Sequence, residues 1–432
     1  MSSCPYMSPQ LSRTSSVSPR TIRARMTAKS VPLQEGDPPR GTYYSDYLKL
    51  DQLLTCQEPL SRCDNGTYAH EELLFITVHQ SHELWFKLII AELDRVYDIL
   101  SKTVSAKTDP TIFEADLAKA VSSLERVKAI QPMLLQKLAV METMTPMEFL
   151  EFRDFLVPAS GFQSFQFRII EIILGLSTLS RDTMNHEFMK RKLRKDDYDR
   201  MMEYETRPSL QDLTEKWLEQ MPWLKSKMPP PTPDGVFNPQ FDWTTEYREA
   251  VYQALATEER MVREVFIQEN LGSEELLEEE LHQVRMNRAT FDSLFNLDQH
   301  KELVERGVRR FSQEAILNAI FAYLYRDMSA LHTPFRFLTL LVEIDDGFTS
   351  WRYRHAQMAH RMIGRKMGTG ATSGADHLLR VAQHNSSFKD LRNISTFLIQ
   401  TSKMPPLPPT VVSILRHETS NNTPVNLLTP RQ

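Results

Sequence analysis

The stretch EELLFITVHQSHELWFKLIIAELDRVYDILSK (Glu71–Lys102) decides the fold class of this chain. Its apolar residues recur at intervals of three and four, which is the spacing of one face of an α-helix. The same period returns at Thr111–Val140 and at Thr145–Leu156, where threonine, proline and glutamate follow one another in the order of a capping box. Further helical patterns cover residues 161–176, 196–203, 209–220, 244–270, 312–329, 334–344 and 348–364. Strand signals are almost absent, and with only 13 glycines the sequence predicts an all-α, multi-helix fold.

The composition is that of an ordinary globular protein. The 432 residues are 41% hydrophobic and 25% charged, and the formal net charge is −5. This acidic balance argues against nucleic acid as a partner, because phosphate binding depends on an excess of lysine and arginine. No apolar run reaches the roughly 20 residues of a membrane span, so no membrane is expected. The cysteines form no CxxC pair, and we expect free thiols in a reducing compartment.

The terminal segments differ in composition from the rest of the chain. Residues 1–40 are rich in Ser, Thr, Pro and Arg, have no helical period and are predicted to be disordered. Basic residues precede the first acidic one, Glu35, as in a mitochondrial transit peptide, but Pro5, Pro9 and Pro19 interrupt any long amphipathic helix. We therefore expect a cytoplasmic protein, with mitochondrial targeting by residues 1–34 as the alternative. Residues 41–402 are predicted to form one helical domain with a proline-rich loop at 228–240, and 403–432 a peripheral tail.

A second helical stretch, WRYRHAQMAHRMIG (Trp351–Gly364), also places histidine in an apolar pattern. A buried histidine costs free energy unless its ring nitrogens find partners, such as a haem, a metal or a bound ligand. His355 and His360 are five residues apart and point to different sides of their helix, so they are poor joint ligands of one metal. A single histidine without a cysteine or carboxylate cluster suits an axial haem ligand better than zinc. Covalent c-type haem is excluded, because CxxCH is absent.

The first stretch offers its own polar candidates. Phe75, His79 and Glu83 are spaced by four and share one helix face. His79 could make a hydrogen bond to an aromatic ligand, or it could be a core histidine with its bonds satisfied. The spacing of His79 and His82 is only a weak indication of a metal pair, since HQSHE is not the HExxH motif of zinc enzymes.

Two further features could bind an anion. Arg153 lies four residues after Phe149 in an aromatic-rich segment, and a carboxylate is its natural bidentate partner. The alternative for Arg153 is a structural ion pair. The sequence MGTGATSGA (Met367–Ala375) is the densest Gly, Thr and Ser stretch of a glycine-poor chain. It could bring backbone amides to an anionic ligand or be a flexible turn.

Together these segments resemble the tryptophan 2,3-dioxygenase family over about residues 42–400. The matching motifs are YSDYLKLDQLL, HEELLFITVHQSHELWFK, ETMTPMEFLEFRDFLVPASGFQSFQFR, WRYRHAQMAHRMIG and GTGATSG. The resemblance implies an all-α catalytic domain that binds b-type haem, active as Fe(II), and forms a homotetramer. It also implies the insertion of both atoms of O2 into the indole ring of L-tryptophan, which gives N-formyl-L-kynurenine, the first step of the kynurenine pathway.

The resemblance also implies roles for individual residues. His355 corresponds to the proximal ligand of the haem iron, with Trp351 and Ser160 also at the haem, and His79 to the distal histidine near the indole N–H. Arg153 corresponds to the arginine that pairs with the substrate carboxylate. The remaining substrate-binding positions are the pocket walls Phe75, Phe149 and Leu156, Thr369 at the amino-acid end, and Tyr44 and Tyr47 from a neighbouring subunit.

The sequence departs from the family pattern in one motif and leaves two alternatives open. Ala371 and Thr372 replace the usual Gly-Ser of the glycine-rich loop, whereas Gly368-Thr369-Gly370 is intact. An indoleamine dioxygenase of wider scope lacks the distal histidine, so His79 argues against it. A non-catalytic haem-binding protein would not need Arg153 or Thr369, which serve the substrate rather than the haem.

Overall fold

The computed structural model describes residues 42–61, 66–106, 110–176, 186–224, 241–268, 274–368 and 374–416. The chain divides into two compact units, residues 1–56 and 57–432. The described part of the first unit holds two short helices, α1 (Tyr44–Leu48) and α2 (Leu50–Leu53), joined at Lys49, whose φ of 54° is left-handed.

The described ranges of the second unit are mainly helical and contain no β-strand. This confirms the predicted fold class. The helices of this unit are α3 (His70–Ala106), α4 (Pro110–Met141), α5 (Pro146–Arg153), α6 (Phe165–Leu174), α7 (His186–Lys192), α8 (Lys195–Glu205), α9 (Leu210–Glu219), α10 (Trp243–Gln268), α11 (Glu274–Phe295), α12 (Leu297–Glu305), α13 (Gln313–Leu324), α14 (Ser329–Ile363), α15 (Ala375–His384), α16 (Lys389–Arg392) and α17 (Pro409–Leu415). Short 3₁₀ turns lie at Asp154–Leu156, Gly161–Gln163, Asn393–Phe397 and Thr401–Lys403.

Three long helices form the frame that positions the site. Helix α4 packs along both α3 and α14, and α15 packs on α14. The main hydrophobic core fills the space between them with fully buried residues such as Ile89, Leu124 and Phe348. The two histidine-bearing helices predicted from the sequence, α3 and α14, therefore share one neighbour, α4.

The predicted start of α5 is confirmed in detail. The Thr145 hydroxyl accepts from the Glu148 backbone N–H at 3.3 Å, and the Glu148 carboxylate accepts from the Thr145 N–H at 2.7 Å. Each side chain satisfies a backbone donor that the first turn of a helix leaves without a partner. This hydrogen bonding also holds the pKa of Glu148 below its usual value.

The prediction of two helices at 334–344 and 348–364 is wrong, because α14 runs unbroken from Ser329 to Ile363. Gly347 does not end a helix but lets α4 approach closely. A Cβ at Gly347 would lie 2.1 Å from the Gln131 Oε1 atom. The Gln131 amide donates to the Ile344 carbonyl at 2.7 Å and so occupies the space a side chain would need.

The single helix predicted at 161–176 is also wrong. Ser164 interrupts it, because its side chain accepts from the Phe167 N–H at 3.3 Å and so caps a new helix, α6, after a 3₁₀ turn. Gly175, with a φ of 114°, ends α6. Helices α7, α11, α12, α15, α16 and α17 were not predicted.

Some predictions concern terminal and loop segments. Residues 1–40 and 228–240 lie outside the described residues. The peripheral position expected after residue 402 does not hold for residues 404–415, since Leu415 is buried in the main core and the Tyr325 hydroxyl donates to the Pro405 carbonyl at 2.6 Å. The other domain boundaries stay a prediction. Among the described helices, none combines the length and the apolar character needed to cross a membrane.

Candidate active site

A second apolar cluster, separate from the main core, gathers the predicted pocket walls. We call it the site cluster; its members are Leu74, Phe75, Ala69, Val78, Met141, Met144, Phe149, Phe152, Leu156, Met358, Met362 and Ile363. The ring centroids of Phe75 lie 6.0 Å from Phe149 and 5.5 Å from Phe152. The structure thus brings Phe75, Phe149 and Leu156 together from α3, α5 and the turn that follows α5.

His355 lies on α14 at the border between the site cluster and the main core. Trp351, one turn earlier, packs on the main core, whereas Met358 and Met362, further along the same stripe, belong to the site cluster. The imidazole stacks on Trp351 with ring centroids 5.1 Å apart and an interplanar angle of 22°. Burial, with smaller contributions from His79 and His82, lowers the pKa of His355 to about 4. The ring is therefore neutral near pH 7 and has a lone pair for a metal ion.

His79 is held in one tautomer by its own helix. Its Nδ1 lies 2.8 Å from the Phe75 carbonyl oxygen. A carbonyl only accepts, so Nδ1 carries the hydrogen and Nε2 is left as an acceptor. The side chain is accessible to water, yet desolvation by the surrounding protein lowers its pKa. The centroid of its ring lies 4.1 Å from that of Phe75, a member of the site cluster.

His82 does not form a metal pair with His79. Its Nδ1 donates to the Val78 carbonyl at 2.9 Å, and its ring packs against Phe86 and Trp351. Burial lowers its pKa to about 4. Glu83, on the same face as His79, accepts from the Gln166 amide at 2.8 Å. In the part of the chain that the structure describes, no three His, Cys, Asp or Glu side chains form a group able to hold a metal ion.

This donor set fits a haem and does not fit a structural or catalytic zinc ion. Zinc sites need three or four protein ligands, whereas a haem iron needs one axial histidine from the protein. An apolar macrocycle also matches the position of His355 between two apolar clusters. The Trp351 indole N–H is buried and has no hydrogen-bond partner in the structure, and a group with a polar edge would supply one.

Arg153 extends from the end of α5, one turn after Phe149. Its side chain is 19% exposed, and its guanidinium lies 3.8 Å from the Asp154 carboxylate. A second guanidinium nitrogen donates to the carbonyl oxygen of Met367. Met367 is the first residue of the glycine-rich stretch. The two anion-binding candidates of the sequence, Arg153 and this stretch, are therefore in contact through Met367. Thr369, with Ala371 and Thr372, lies outside the described residues.

The other predicted site residues have the following positions. Ser160 caps the 3₁₀ turn at Gly161–Gln163, and its hydroxyl accepts from the Phe162 N–H at 3.4 Å. Tyr44 and Tyr47, in the first unit, are each 74% exposed. The roles of all these residues stay predictions.

Sequence reasoning missed a buried ionic group that joins α6 to α14, the helix of His355. Glu171 on α6 accepts from Arg168 at 2.7 Å and from Arg352 at 2.9 Å, and all three side chains are buried. Arg352 also donates to the Asn385 carbonyl at 3.2 Å and so connects the His355 helix to the residues after α15. The signal was present in FQFRIIEIIL, where an arginine and a glutamate three residues apart interrupt an apolar helix.

The described residues define an all-α protein in which His355, His79 and Arg153 lie on helices that contribute to the site cluster. The family model of tryptophan 2,3-dioxygenase matches residues 31–398. Tryptophan 2,3-dioxygenase of Alteromonas mediterranea is 37% identical over 369 residues, 85% of this chain and 95% of its own length. That of Dictyostelium discoideum is 37% identical over 423 residues, 95% of this chain and 97% of its own. Tryptophan 2,3-dioxygenase B of Danio rerio is 36% identical over 373 residues, 86% and 85% of the two chains. The chain belongs to the tryptophan 2,3-dioxygenase family, which confirms the resemblance found in the sequence.

Proposed function

We propose that this chain is a haem-dependent dioxygenase that cleaves the indole ring of L-tryptophan with O2 to N-formyl-L-kynurenine, the first step of the kynurenine pathway. One observation carries the proposal beyond family membership. Three polar side chains border the site cluster with its aromatic walls. They are His355, a neutral candidate ligand, His79, an oriented acceptor, and Arg153, a cation. An apolar slot with a few placed polar groups is the usual form of a small-molecule site.

His355 would hold haem b through one ring nitrogen, with Trp351 and Ser160 near the same group. When bound, ferrous haem supplies the activation of O2. The protein's own part is to bind, orient and exclude water.

His79 would receive the indole N–H of the substrate. Its Nε2 is the acceptor nitrogen, because Nδ1 donates to the Phe75 carbonyl. An aromatic N–H needs such an acceptor when it is buried. Desolvation lowers the pKa of His79 and keeps the acceptor unprotonated. We therefore assign His79 an orienting role rather than that of an obligatory base. Phe75, Phe149 and Leu156 would form the walls of the indole slot.

Arg153 would bind the substrate carboxylate. One terminal nitrogen of its guanidinium donates to the Met367 carbonyl, and the other lies 3.8 Å from the exposed Asp154 carboxylate. A bidentate pair with the substrate would replace this exposed ion pair, which contributes little in water. Thr369, two residues beyond Met367, would hold the amino-acid end of the substrate.

We further propose a homotetramer in which Tyr44 and Tyr47 reach the site of a neighbouring subunit. Their exposure as large aromatic side chains is the kind that a subunit contact removes. We also propose a cytoplasmic location. The support is in the sequence, where Pro5, Pro9 and Pro19 interrupt the helix that a mitochondrial targeting segment would need.

The test is an absorption spectrum of the reduced, haem-loaded protein with and without L-tryptophan, followed by admission of O2 and analysis of the product. We expect a spectral response to L-tryptophan and formation of N-formyl-L-kynurenine. His355→Ala should lose tightly bound haem and turnover. If haem binds but no substrate response or product is found, the non-catalytic alternative holds. Equal turnover of tryptamine and L-tryptophan would favour the indoleamine dioxygenase alternative.

Arg153 provides the sharpest test of substrate class. Removing one partner of a buried charge pair costs about 2–5 kcal/mol, a factor of about 30 to several thousand in kcat/KM. Arg153→Ala should therefore lose that factor with L-tryptophan and much less with tryptamine, which lacks the carboxylate. Arg153→Lys keeps the charge without the bidentate geometry and should fall between. An equal loss with both substrates would assign Arg153 a structural role.

A further inference from the structure

The three histidines near the site differ in what holds their rings. His79 and His82 each donate from Nδ1 to the carbonyl four residues earlier, at 2.8 Å and 2.9 Å. His355 sits on a helix of the same kind, yet no described residue makes a hydrogen bond to its imidazole. Among the described residues, its close ring contact is the stacked indole of Trp351, with centroids 5.1 Å apart and an interplanar angle of 22°. The ring of a metal-bound histidine is usually held in a fixed orientation by its surroundings, and for His355 the described structure supplies the stacked indole of Trp351.

Trp351 is itself fixed by aromatic side chains from two other helices. Its ring centroid lies 5.0 Å from Phe167 on α6, and 6.0 Å and 6.3 Å from His82 and Phe86 on α3. Contacts on several sides leave the indole little rotational freedom. The imidazole of His355 lies nearly parallel to this indole and is restricted as well, because tilting the imidazole would lose the stacking contact.

We propose that Trp351 is a positioning residue that sets the plane of the His355 imidazole by stacking. The inference rests on the proposed function, in which His355 is the haem ligand. The rotation of the ring about the bond to iron would then be set by α3 and α6 through Trp351.

The test compares Trp351→Met, Trp351→Phe and the control Phe348→Met in the haem-loaded, reduced protein. Methionine fills much of the space but has no aromatic face, whereas phenylalanine keeps a smaller one. Phe348 lies on the same helix, is buried and contacts Phe167 at 6.1 Å, but it has no ring contact with His355. Phe348→Met therefore reports any general loosening of the core around α14.

The readouts are the iron–histidine stretching band in resonance Raman spectra and the rate of haem transfer to apomyoglobin. We expect Trp351→Met to shift or broaden the band and to speed haem loss about two- to ten-fold, the range that one aromatic pair supports. Trp351→Phe should restore much of the wild-type band, and Phe348→Met should leave it unchanged.

Two results would overturn the proposal. A wild-type band and rate in Trp351→Met would show that stacking does not orient the ligand. The same band shift in Phe348→Met would show a general packing effect. If wild-type protein has no iron–histidine band at all, the ligand assignment of the proposed function fails as well, and that outcome is distinct from the other two.

Discussion

Replacement of Asp345 by asparagine should destabilise the protein far more than the same change at its neighbour, Asp346. The two carboxylates share one arginine, Arg392, but Asp345 is 1% exposed and Asp346 is 55% exposed. Asp345 also accepts from the Ser386 hydroxyl at 2.6 Å and from the backbone N–H groups of residues 387 and 388 at 3.1 Å and 3.3 Å. It therefore ties the chain after α15 to the helix that carries His355.

The magnitude follows from the number and burial of these bonds. In Asp345→Asn, one acceptor oxygen becomes an NH2 group, so at least one buried donor faces another donor and loses its partner. Such a donor costs about 1–3 kcal/mol. With the lost charge opposite Arg392, the total is about 3–5 kcal/mol. The exposed pair of Asp346 contributes about 0–1 kcal/mol, because water and salt screen it.

Urea unfolding followed by far-UV circular dichroism measures the difference. Asp345→Asn should lower the midpoint by several times the shift of Asp346→Asn, with a similar slope for all three proteins. Losses that agree within about 1 kcal/mol would refute the argument from burial, because charge and arginine partner are common to both positions.

Three further predictions follow from individual contacts. Gly347→Ala should lower the free energy of unfolding in urea by about 1–3 kcal/mol, because the new Cβ would displace Gln131. This loss should outweigh the better helix propensity of alanine. A variant more stable than wild type would contradict the close approach of α4 to Gly347. His300 donates to a carbonyl at 3.0 Å and accepts from Arg309 at 3.1 Å, and burial lowers its pKa from 6.5. Its contribution is present above pH 6.5 and is lost as the pH falls below that value, since only the unfolded chain takes up the proton readily. The free energy of unfolding should therefore fall less in His300→Gln than in wild type between about pH 7 and pH 5. Identical profiles of unfolding free energy against pH would show that His300 does not contribute to this loss. The His79→Ala variant should keep its haem and retain slow but measurable turnover of L-tryptophan, with a loss of about 1–3 kcal/mol in transition-state stabilisation. N-methylation of the indole should lower the turnover of wild type more than that of the variant. An equal decrease in both proteins would exclude a contact between His79 and the indole N–H.

The sequence by itself determined the helical fold class and the local arrangement of candidate residues. Helical periodicity and a capping box are carried by residues three or four apart, so α3 and the start of α5 could be predicted without knowing what they pack against. The shared face of Phe75 and His79 follows from the same spacing, and the structure places their rings 4.1 Å apart.

Only the tertiary structure decided which distant groups meet and where a local signal is overridden. Arg153 contacts Met367, 214 residues away, and no local spacing encodes such a pair. The sequence predicted two helices at 334–344 and 348–364, whereas the structure has one helix in which Gly347 packs against Gln131 of another helix. The lowered pKa of His355 likewise depends on burial, and its stacking partner Trp351 is packed against rings from α3 and α6. Electrostatics and packing act through space, and the chain distance between the partners does not limit them.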